Sequence, residues 1–234
     1  MVVLLCFGMV LGTMSNEPET MNANKPRSSF RKRMFARGYD QAMATYEEYI
    51  AERKRELFAN LSGSVMEIGP GTGANLAYVP EGSRWIGIEP NHYMHDQLRE
   101  KAEKHNIEAE FAVASGEGIA VDDETIDCVV CTLVLCSVTD PAQVLSEVKR
   151  VLKPGGRFYF IEHVAAPKKT WLRFSQGVMR PVSRFCADGC CPDRETGLTI
   201  KNSGFGSVEL EEFRVDRKIM PRVVSPHIAG IATK

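Results

Sequence analysis

The residues best suited by type and spacing to do chemistry lie in the run Glu67-Ile-Gly-Pro-Gly-Thr-Gly73. Gly69, Gly71 and Gly73 alternate directly after a short apolar stretch, and glycines in such a turn let the backbone approach a ligand closely. The dinucleotide fingerprint spaces its glycines as G-x-G-x-x-G and tolerates alanine at its end, so Ala74 does not exclude a nicotinamide cofactor. The glycine spacing therefore predicts a bound nucleoside and leaves its identity open.

Glu67 distinguishes two classes of nucleoside ligand. A carboxylate two residues before the first glycine would repel a pyrophosphate, but it attracts a ligand that carries an ammonium group. S-adenosylmethionine has such an amine and no phosphate, so Glu67 favours it and makes an NAD-dependent reductase the least favoured function. Glu89 follows 22 residues later. A carboxylate there can accept hydrogen bonds from both ribose hydroxyls of either cofactor.

Further candidate cofactor contacts lie where predicted strands end, because ligands of doubly wound sheets bind outside the carboxyl ends of the strands. Ser115 and its neighbouring amides are candidate adenine contacts. Thr132 and Leu133 are candidates for the floor of the site, with core packing as the alternative. The predicted cofactor-binding set is Glu67, Gly69, Gly71, Gly73, Asn75, Glu89, Pro90, Met94, Ser115, Gly116, Glu117, Thr132 and Leu133.

Short apolar stretches alternate with amphipathic segments along the chain, which predicts a parallel sheet with right-handed crossovers. The last two strand candidates have no helix between them, which favours an antiparallel hairpin. The expected fold is α/β and Rossmann-like, with a seven-stranded, mostly parallel sheet, flanking helices and a C-terminal hairpin. The predicted strands are residues 65–68, 85–89, 110–114, 126–135, 157–162, 207–213 and 227–234.

Composition and length predict one domain with an N-terminal extension. The 234 residues are 44% hydrophobic with a net charge of −1, which gives no bulk attraction to nucleic acid. Residues 1–14 are apolar and uncharged but shorter than the roughly 20 residues of a spanning helix. Residues 25–37 carry six basic residues and no acidic one. They predict a solvated helix face or, with residues 1–14, peripheral membrane contact through residues 1–37.

We expect the domain boundary at residue 38. Residues 1–38 form the extension and residues 39–234 the domain. Within the domain, residues 62–163 form the cofactor half. Residues 164–234, together with a helix at residues 39–60, form the acceptor side.

The cysteines predict neither a disulfide framework nor a metal site. The chain has seven of them, and an odd number favours free thiols in a reducing compartment. Cys186, Cys190 and Cys191 lack the paired spacing of zinc motifs. Cys128 and Cys131 have that spacing, but they lie in a predicted strand whose side chains alternate between faces, so we interpret them as core residues.

Several motifs give the chain a family resemblance over about residues 40–234. The run from Val65 to His163 resembles class I S-adenosylmethionine-dependent methyltransferases of the type 11 domain group. Their motifs are matched by Glu67 to Gly73, Ile88-Glu-Pro-Asn91 and Leu152-Lys-Pro-Gly-Gly156. The resemblance is closest to the methyltransferase-like seven branch of thiol methyltransferases and its plant and algal relatives. The runs that carry it are Arg53 to Phe58, Cys131 to Val138, Phe160 to Ala166, Asp188-Gly-Cys190, and Arg222 with Pro226-His227.

This resemblance implies methyl transfer from S-adenosylmethionine to a small-molecule acceptor, which is an aliphatic thiol in animal members. Animal members are anchored by an N-terminal apolar segment to the endoplasmic reticulum or lipid droplets, and plant members are often plastid-targeted. The shorter segment of this chain leaves its location open within the cell, as cytoplasmic, organellar or membrane-associated. We expect a monomer that does not bind nucleic acid.

Two residues are candidates for catalysis. His163 follows the fifth strand and titrates in the range of a general base, with a structural histidine as the alternative. Asp188 belongs to a polar cluster with Cys190, Cys191 and Arg194. Residues 171–193 are expected to form part of an apolar lid over the acceptor, together with the N-terminal helix. Two other functions stay open: a lipid or quinone methyltransferase at a membrane surface, and a non-catalytic module that binds S-adenosylmethionine.

Overall fold

Seven strands form one mixed sheet at the centre of the computed structural model, which describes residues 29–234. The strands are β1 (Val65–Ile68), β2 (Arg84–Ile88), β3 (Glu108–Ala112), β4 (Ile126–Thr132), β5 (Leu152–His163), β6 (Ser207–Arg214) and β7 (Pro226–Thr233). The helices are α1 (Ser29–Leu57), α2 (His95–Lys104), α3 (Pro141–Val151), α4 (Trp171–Cys186) and α5 (Thr196–Lys201). Single 3-10 turns lie at Leu76–Tyr78, His92–Met94 and Arg222–Val224.

The strand order is β3-β2-β1-β4-β5-β7-β6. β1 to β5 are parallel, and β7 runs antiparallel to both β5 and β6. The predicted fold class, with its parallel strands and C-terminal antiparallel pair, is confirmed. Because β7 inserts between β5 and β6, its residues pair on both sides, which the hairpin prediction did not include.

Two strand ends differ from the prediction in ways that affect the site. β3 ends at Ala112 instead of residue 114, so Ser115 lies three residues beyond the strand. β4 ends at Thr132 instead of residue 135. There Leu133 takes a φ of 59°, which is incompatible with an extended strand, and the chain turns away.

Helix α1 begins at Ser29, ten residues before the predicted start at residue 39, and ends at Leu57. The helix passes through the predicted boundary at residue 38 without a break. Tyr46 and Ile50 on its inner face are buried, and Phe30 and Met34 near its start are exposed. The predictions about residues 1–28 lie outside the described residues.

Two apolar clusters pack on opposite faces of the sheet. One joins α3 and α5 to the sheet through Val144, Val148 and Ile200. The other joins α1 and α2 to it through Ile50 and Leu98. Alternate residues of a strand point to opposite faces, so each strand supplies both clusters.

The cysteine predictions agree with this packing. Cys128 belongs to the cluster beneath α1 and α2, and Cys131 to the one beneath α3 and α5. Their predicted placement on opposite faces of β4 is confirmed. All six cysteines within residues 29–234 are free thiols.

Helix α4 does not form the predicted apolar lid. Trp171, Phe174 and Phe185 are 78%, 59% and 59% exposed, so these rings face solvent instead of enclosing a ligand. They form one helical stripe with Val178 and Val182, which are also exposed. Sequence periodicity identified this apolar face but could not show which way it points. Within residues 29–234, no helix combines the length and apolarity that crossing a bilayer requires.

Candidate active site

The glycine loop after β1 adopts a backbone that requires its glycines. Gly69, Gly71 and Gly73 have φ values of 64°, 58° and 87°, in the left-handed region where side chains are strained. A Cβ on Gly69 would lie 2.5 Å from Val134 Cγ2. The Gly69 amide donates to Ile88 O at 2.9 Å, which ties the loop to the end of β2. The loop is therefore a tight turn at the carboxyl edge of the sheet, as predicted.

The buried side chains of Glu67 and Asn75 and the half-buried Thr132 form one network beside this loop. Asn75 Nδ2 donates to Glu67 Oε1 at 2.8 Å and to Thr132 Oγ1 at 3.0 Å. Glu67 Oε2 and Asn75 Oδ1 are buried, and neither makes a hydrogen bond of normal length and angle to another described residue, although the Trp85 indole lies close enough to Glu67 to lower its pKa. Such orphaned acceptors are costly unless a donor reaches them. An ammonium group has three donors and no acceptor, so it fits this pair.

Burial raises the pKa of Glu67 to about 7, against the lowering effects of Asn75 and of Lys54 on α1. Glu67 is 1% exposed, so its charged form has lost its hydration. A bound cation would replace that hydration. The carboxylate is thus built to favour a positively charged ligand group.

Glu89 organises the far side of the glycine loop. Its Oε2 accepts from the Gly71 amide at 3.0 Å, and its Oε1 accepts from the Asn91 amide at 2.7 Å. Each carboxylate oxygen has two lone pairs, so both retain capacity for a ribose hydroxyl. Burial raises the pKa of Glu89, and its two amide hydrogen bonds oppose that rise.

The other predicted cofactor residues fall into two groups. Met94 lies beside the loop, since its Sδ would be 3.7 Å from a Cβ on Gly71. Leu133 is held at the end of β4 by the hydrogen bond that its amide donates to Ile161 O at 2.8 Å. Met94 thus lies beside the glycine loop, and Leu133 directly follows Thr132 of the Glu67 network.

The second group makes no hydrogen bond to Glu67 or Glu89 among the described residues. Pro90 and Ser115 are exposed, and Gly116 packs against Ile68. Glu117 Oε1 accepts from the Thr139 amide at 2.8 Å and thereby joins the loop after β3 to the start of α3. A cofactor contact by these four residues stays a prediction.

Helix α1 crosses the glycine loop, a contact that the sequence did not indicate. The Tyr39 ring would be 3.6 Å from a Cβ on Gly71. Asp40 bonds the Thr72 hydroxyl and accepts from Lys101 Nζ at 2.8 Å. The helix was predicted to belong to the acceptor side, and the structure places it against the glycine loop.

A group of buried polar atoms lies where the end of β5 pairs with β7. Tyr46 OH, His163 Nδ1 and His227 Nε2 have no hydrogen-bond partner among the described residues. His163 and His227 are register partners on β5 and β7, with ring centroids 6.3 Å apart. The Tyr46 ring lies 5.6 Å from that of His227. We call these three residues the acceptor group.

The tautomer of His227 follows from its contacts. His227 Nδ1 lies 3.0 Å from Ser225 O, and a carbonyl can only accept, so Nδ1 carries the proton. Burial lowers the pKa of His227 to about 4, opposed by the bond to Ser225. The ring is neutral at pH 7 and offers Nε2 as an acceptor. From the sequence, His227 was expected only as part of a family motif, with no chemical role of its own.

His163, the predicted base, lies beside two thiols. Its Nε2 is 3.1 Å from Cys190 Sγ, and the ligand atoms of Cys136, His163 and Cys190 all lie within 4.8 Å of one another. Burial lowers the pKa of His163, but its interactions with the Cys136 side chain, including a hydrogen bond, and with Glu162 outweigh burial and raise it overall. Asp188, with a φ of 42°, occupies the turn before Cys190 and acts electrostatically on Glu89.

Glu162 positions the turn after β4, and sequence analysis did not identify it. It is fully buried, and its Oε1 accepts from the amides of Val134 and Leu135, each at 2.9 Å. These bonds satisfy backbone donors that have left the sheet. A charged residue inside the apolar fifth strand was the available signal.

Comparison with known proteins identifies the family. A methyltransferase domain model matches residues 66–160. Thiol S-methyltransferase TMT1A of Homo sapiens is 42% identical over 200 residues, which cover 81% of this chain and 81% of that protein. The chain belongs to this methyltransferase family. Thiol S-methyltransferase TMT1B of Homo sapiens is 41% identical over 193 residues, which cover 78% of each chain.

Membership confirms that the chain is a methyltransferase and that its methyl donor is S-adenosylmethionine. Solved structures agree on the fold at low identity. A methyltransferase from Thermotoga maritima, named as a possible histamine N-methyltransferase, has a TM-score of 0.63 and 17% identity over 88% of this chain and 98% of its own. The [4+2]-cyclase SpnF has a TM-score of 0.66 and 14% identity, and the match covers 92% of this chain and 99% of its own. These likenesses show the fold alone, and function depends on the site.

Proposed function

We propose that this methyltransferase transfers a methyl group to a small-molecule thiol, using the two carboxylates at the sheet edge to hold its cofactor. The observation that carries the proposal is the pair of buried, unpartnered acceptors, Glu67 Oε2 and Asn75 Oδ1, beside the glycine loop. The thiol acceptor is supported by the relatives, which are named as thiol S-methyltransferases.

The proposed cofactor contacts divide by chemistry. Glu67 and Asn75 accept from the ammonium group, and Glu89 accepts from the ribose hydroxyls while it orders Gly71. Met94 and Leu133 supply apolar walls. When bound, S-adenosylmethionine supplies an activated sulfonium methyl group. The chain's own task is then to align the acceptor with that methyl group and to exclude water.

The acceptor group provides the second half of the proposal. A thiol has a pKa near 8.5, so its deprotonation needs modest assistance compared with an alcohol. His227 Nε2 can accept a hydrogen bond from the incoming acceptor, and Tyr46 OH can donate one. His163 and Asp188 keep their proposed acceptor-side roles, and the general-base role of His163 stays a prediction.

The acceptor class is tested by measuring S-adenosylhomocysteine formed by the full chain with an aliphatic thiol, a phenol and a lipid quinol. We expect product with the thiol only, because no strong base is required for that acceptor. A reaction without acceptor controls for hydrolysis. Product with the quinol alone would establish the membrane-surface alternative, and cofactor binding without turnover on any acceptor would establish the non-catalytic one.

Cofactor affinity is expected to rise with pH. The pKa of Glu67 is raised to about 7 by burial, so lowering the pH neutralises the group that attracts the ammonium. Between pH 7.5 and 5.5, binding of S-adenosylhomocysteine is expected to weaken by roughly 20-fold, from the linkage of one proton. Lys54 and Glu47 of α1 also act on Glu67, with opposite signs. Calorimetry across this range measures the effect.

The matched control for this pH dependence is Glu67→Gln. The amide cannot titrate, so the variant is expected to bind S-adenosylhomocysteine more weakly and with a flat pH profile. For the unliganded protein, the contribution of Glu67 to folding stability changes with pH in the opposite direction to its contribution to ligand affinity. A carboxyl whose folded-state pKa is raised stabilises at low pH, and that contribution is lost as pH rises through about 7. A steep profile that persists in Glu67→Gln would assign the titration to another group.

A further inference from the structure

Two thiols and an imidazole meet in a buried cluster that no disulfide joins. Cys136 lies in the turn after β4, His163 at the end of β5, and Cys190 in the loop after α4. They are 2%, 4% and 7% exposed, and their ligand atoms lie within 4.8 Å of one another. Among the described residues, this group of potential ligands has three members. We call it the Cys2His cluster.

The backbone around the Cys2His cluster is held in place by hydrogen bonds. The Cys191 amide donates to Cys136 O at 2.9 Å, which joins the loop of Cys190 to the turn of Cys136. Arg194 Nη1 donates to Leu135 O at 2.6 Å and to Val138 O at 2.8 Å, on either side of Cys136. Three segments distant in sequence are thereby fixed before any ligand arrives, as a metal site requires.

The cluster lies near the glycine loop. Cys136 Sγ donates to Leu133 O at 3.4 Å, and Leu133 is a proposed wall of the cofactor site. The phenol of Tyr39, whose ring lies beside Gly71, interacts electrostatically with both Glu89 and Cys136. A sulfur atom held at the cluster would therefore lie near the glycine loop.

We propose that Cys136, His163 and Cys190 bind a zinc ion and leave its fourth position for the acceptor thiol. Zinc in proteins takes cysteine sulfur and histidine nitrogen, and catalytic sites keep three protein ligands and one open position. The inference rests on the proposed thiol acceptor. In this arrangement His163 holds the metal through Nε2, and this role replaces the general-base role predicted for it from the sequence.

The reaction at this site balances without a further reagent. The acceptor thiol forms a zinc–sulfur bond and loses its proton to solvent. Its sulfur then forms a bond to the donated methyl carbon, while the bond from that carbon to the cofactor sulfur breaks and leaves its electron pair there. The products are a methyl thioether, S-adenosylhomocysteine and one proton. A neutral thioether is a weaker zinc ligand than a thiolate, so it dissociates.

The site is tested first by metal content. The full chain, produced with zinc in the medium and purified without chelator, is expected to hold about one zinc per chain by elemental mass spectrometry. The zinc content per chain is expected to fall at least about tenfold in each of the variants Cys136→Ala, His163→Ala and Cys190→Ala. Cys191→Ala is the matched control, since Cys191 neighbours Cys190 but lies outside the cluster, and it is expected to retain the metal.

A second measurement uses the unaltered chain, in case a variant fails to fold. Replacement of zinc by cobalt is expected to give thiolate-to-metal absorption that changes when an aliphatic thiol is added. Absence of metal after reconstitution with zinc, or a Cys136–Cys190 disulfide found by mass mapping, would overturn the proposal.

The failures of the two proposals are distinguishable. Undiminished thiol methylation by the zinc-free chain would overturn the metal inference and leave the thiol function standing. If wild type binds zinc, the cluster variants lose it, and no thiol is turned over, the metal site is supported. The same result would remove the thiol function and the acceptor's place on the metal.

Discussion

Replacing Glu89 with alanine is expected to weaken binding of S-adenosylhomocysteine and of 5′-methylthioadenosine by about 100-fold each. Both ligands contain the ribose, so both depend on the carboxylate. Glu89 also accepts from the amides of Gly71 and Asn91, at 3.0 and 2.7 Å. Its removal leaves those donors unpaired and loosens the loop. Hydrogen bonds to a charged group contribute about 1.5–3 kcal/mol, and about 3 kcal/mol corresponds to this loss of affinity.

Calorimetry with the two ligands separates Glu89 from Glu67. 5′-Methylthioadenosine lacks the amino-acid part, so Glu67→Gln is expected to weaken S-adenosylhomocysteine and to leave 5′-methylthioadenosine unchanged. Glu110→Ala is the control for loss of a carboxylate, because Glu110 is exposed on β3 and pairs with Arg84 at 2.9 Å. Unchanged binding of both ligands to Glu89→Ala would show that Glu89 does not contact the ribose.

Replacing Gly230 with alanine is expected to destabilise the fold by about 3 kcal/mol. Gly230 lies in β7 between Phe160 of β5 and Leu210 of β6. An added Cβ would be 2.2 Å from Glu209 O and 2.8 Å from Leu210 Cα. These are backbone atoms, so relief requires β6 and β7 to separate. For a domain of this size, the melting temperature is expected to fall by about 6–12 °C.

Replacing Gly177 with alanine is expected to stabilise the fold instead of destabilising it. Gly177 lies inside α4, and nothing is within 4 Å of its would-be Cβ. Alanine there is expected to stabilise by about 0.5–1 kcal/mol, because glycine is unfavourable within a helix. Urea unfolding of the two variants measures both effects. Equal stability of Gly230→Ala and wild type would contradict the close pairing of β6 and β7.

The sequence by itself determined which of the predicted cofactor residues meet at one edge of the sheet. Glu67, the three glycines and Glu89 stand at the ends of two strands, and parallel strands of this fold bring those ends to one edge. The signal was local because each strand and the loop after it are continuous in the chain. The asparagine and threonine that join Glu67 were found for the same reason.

Only the tertiary structure decided how the remaining elements cover that edge. Periodicity shows that a helix has an apolar face but not which neighbour it meets. Helix α1 therefore proved to cross the glycine loop, while the stripe of α4 that includes Trp171 and Phe174 faces solvent. Glu162 was missed because the amides that it binds leave the sheet at Leu133, a turn that the long apolar run of β4 concealed.

The Cys2His cluster shows the same limit most clearly. Motif spacing reveals only metal ligands that lie close together in the sequence. It therefore drew attention to Cys186 and Cys191 as possible partners of Cys190. In the fold, the partners of Cys190 are Cys136 and His163, which come from the ends of two other strands. Chain connectivity places the cofactor carboxylates, whereas the meeting of β4, β5 and the loop after α4 creates the cluster, because its members share no local segment.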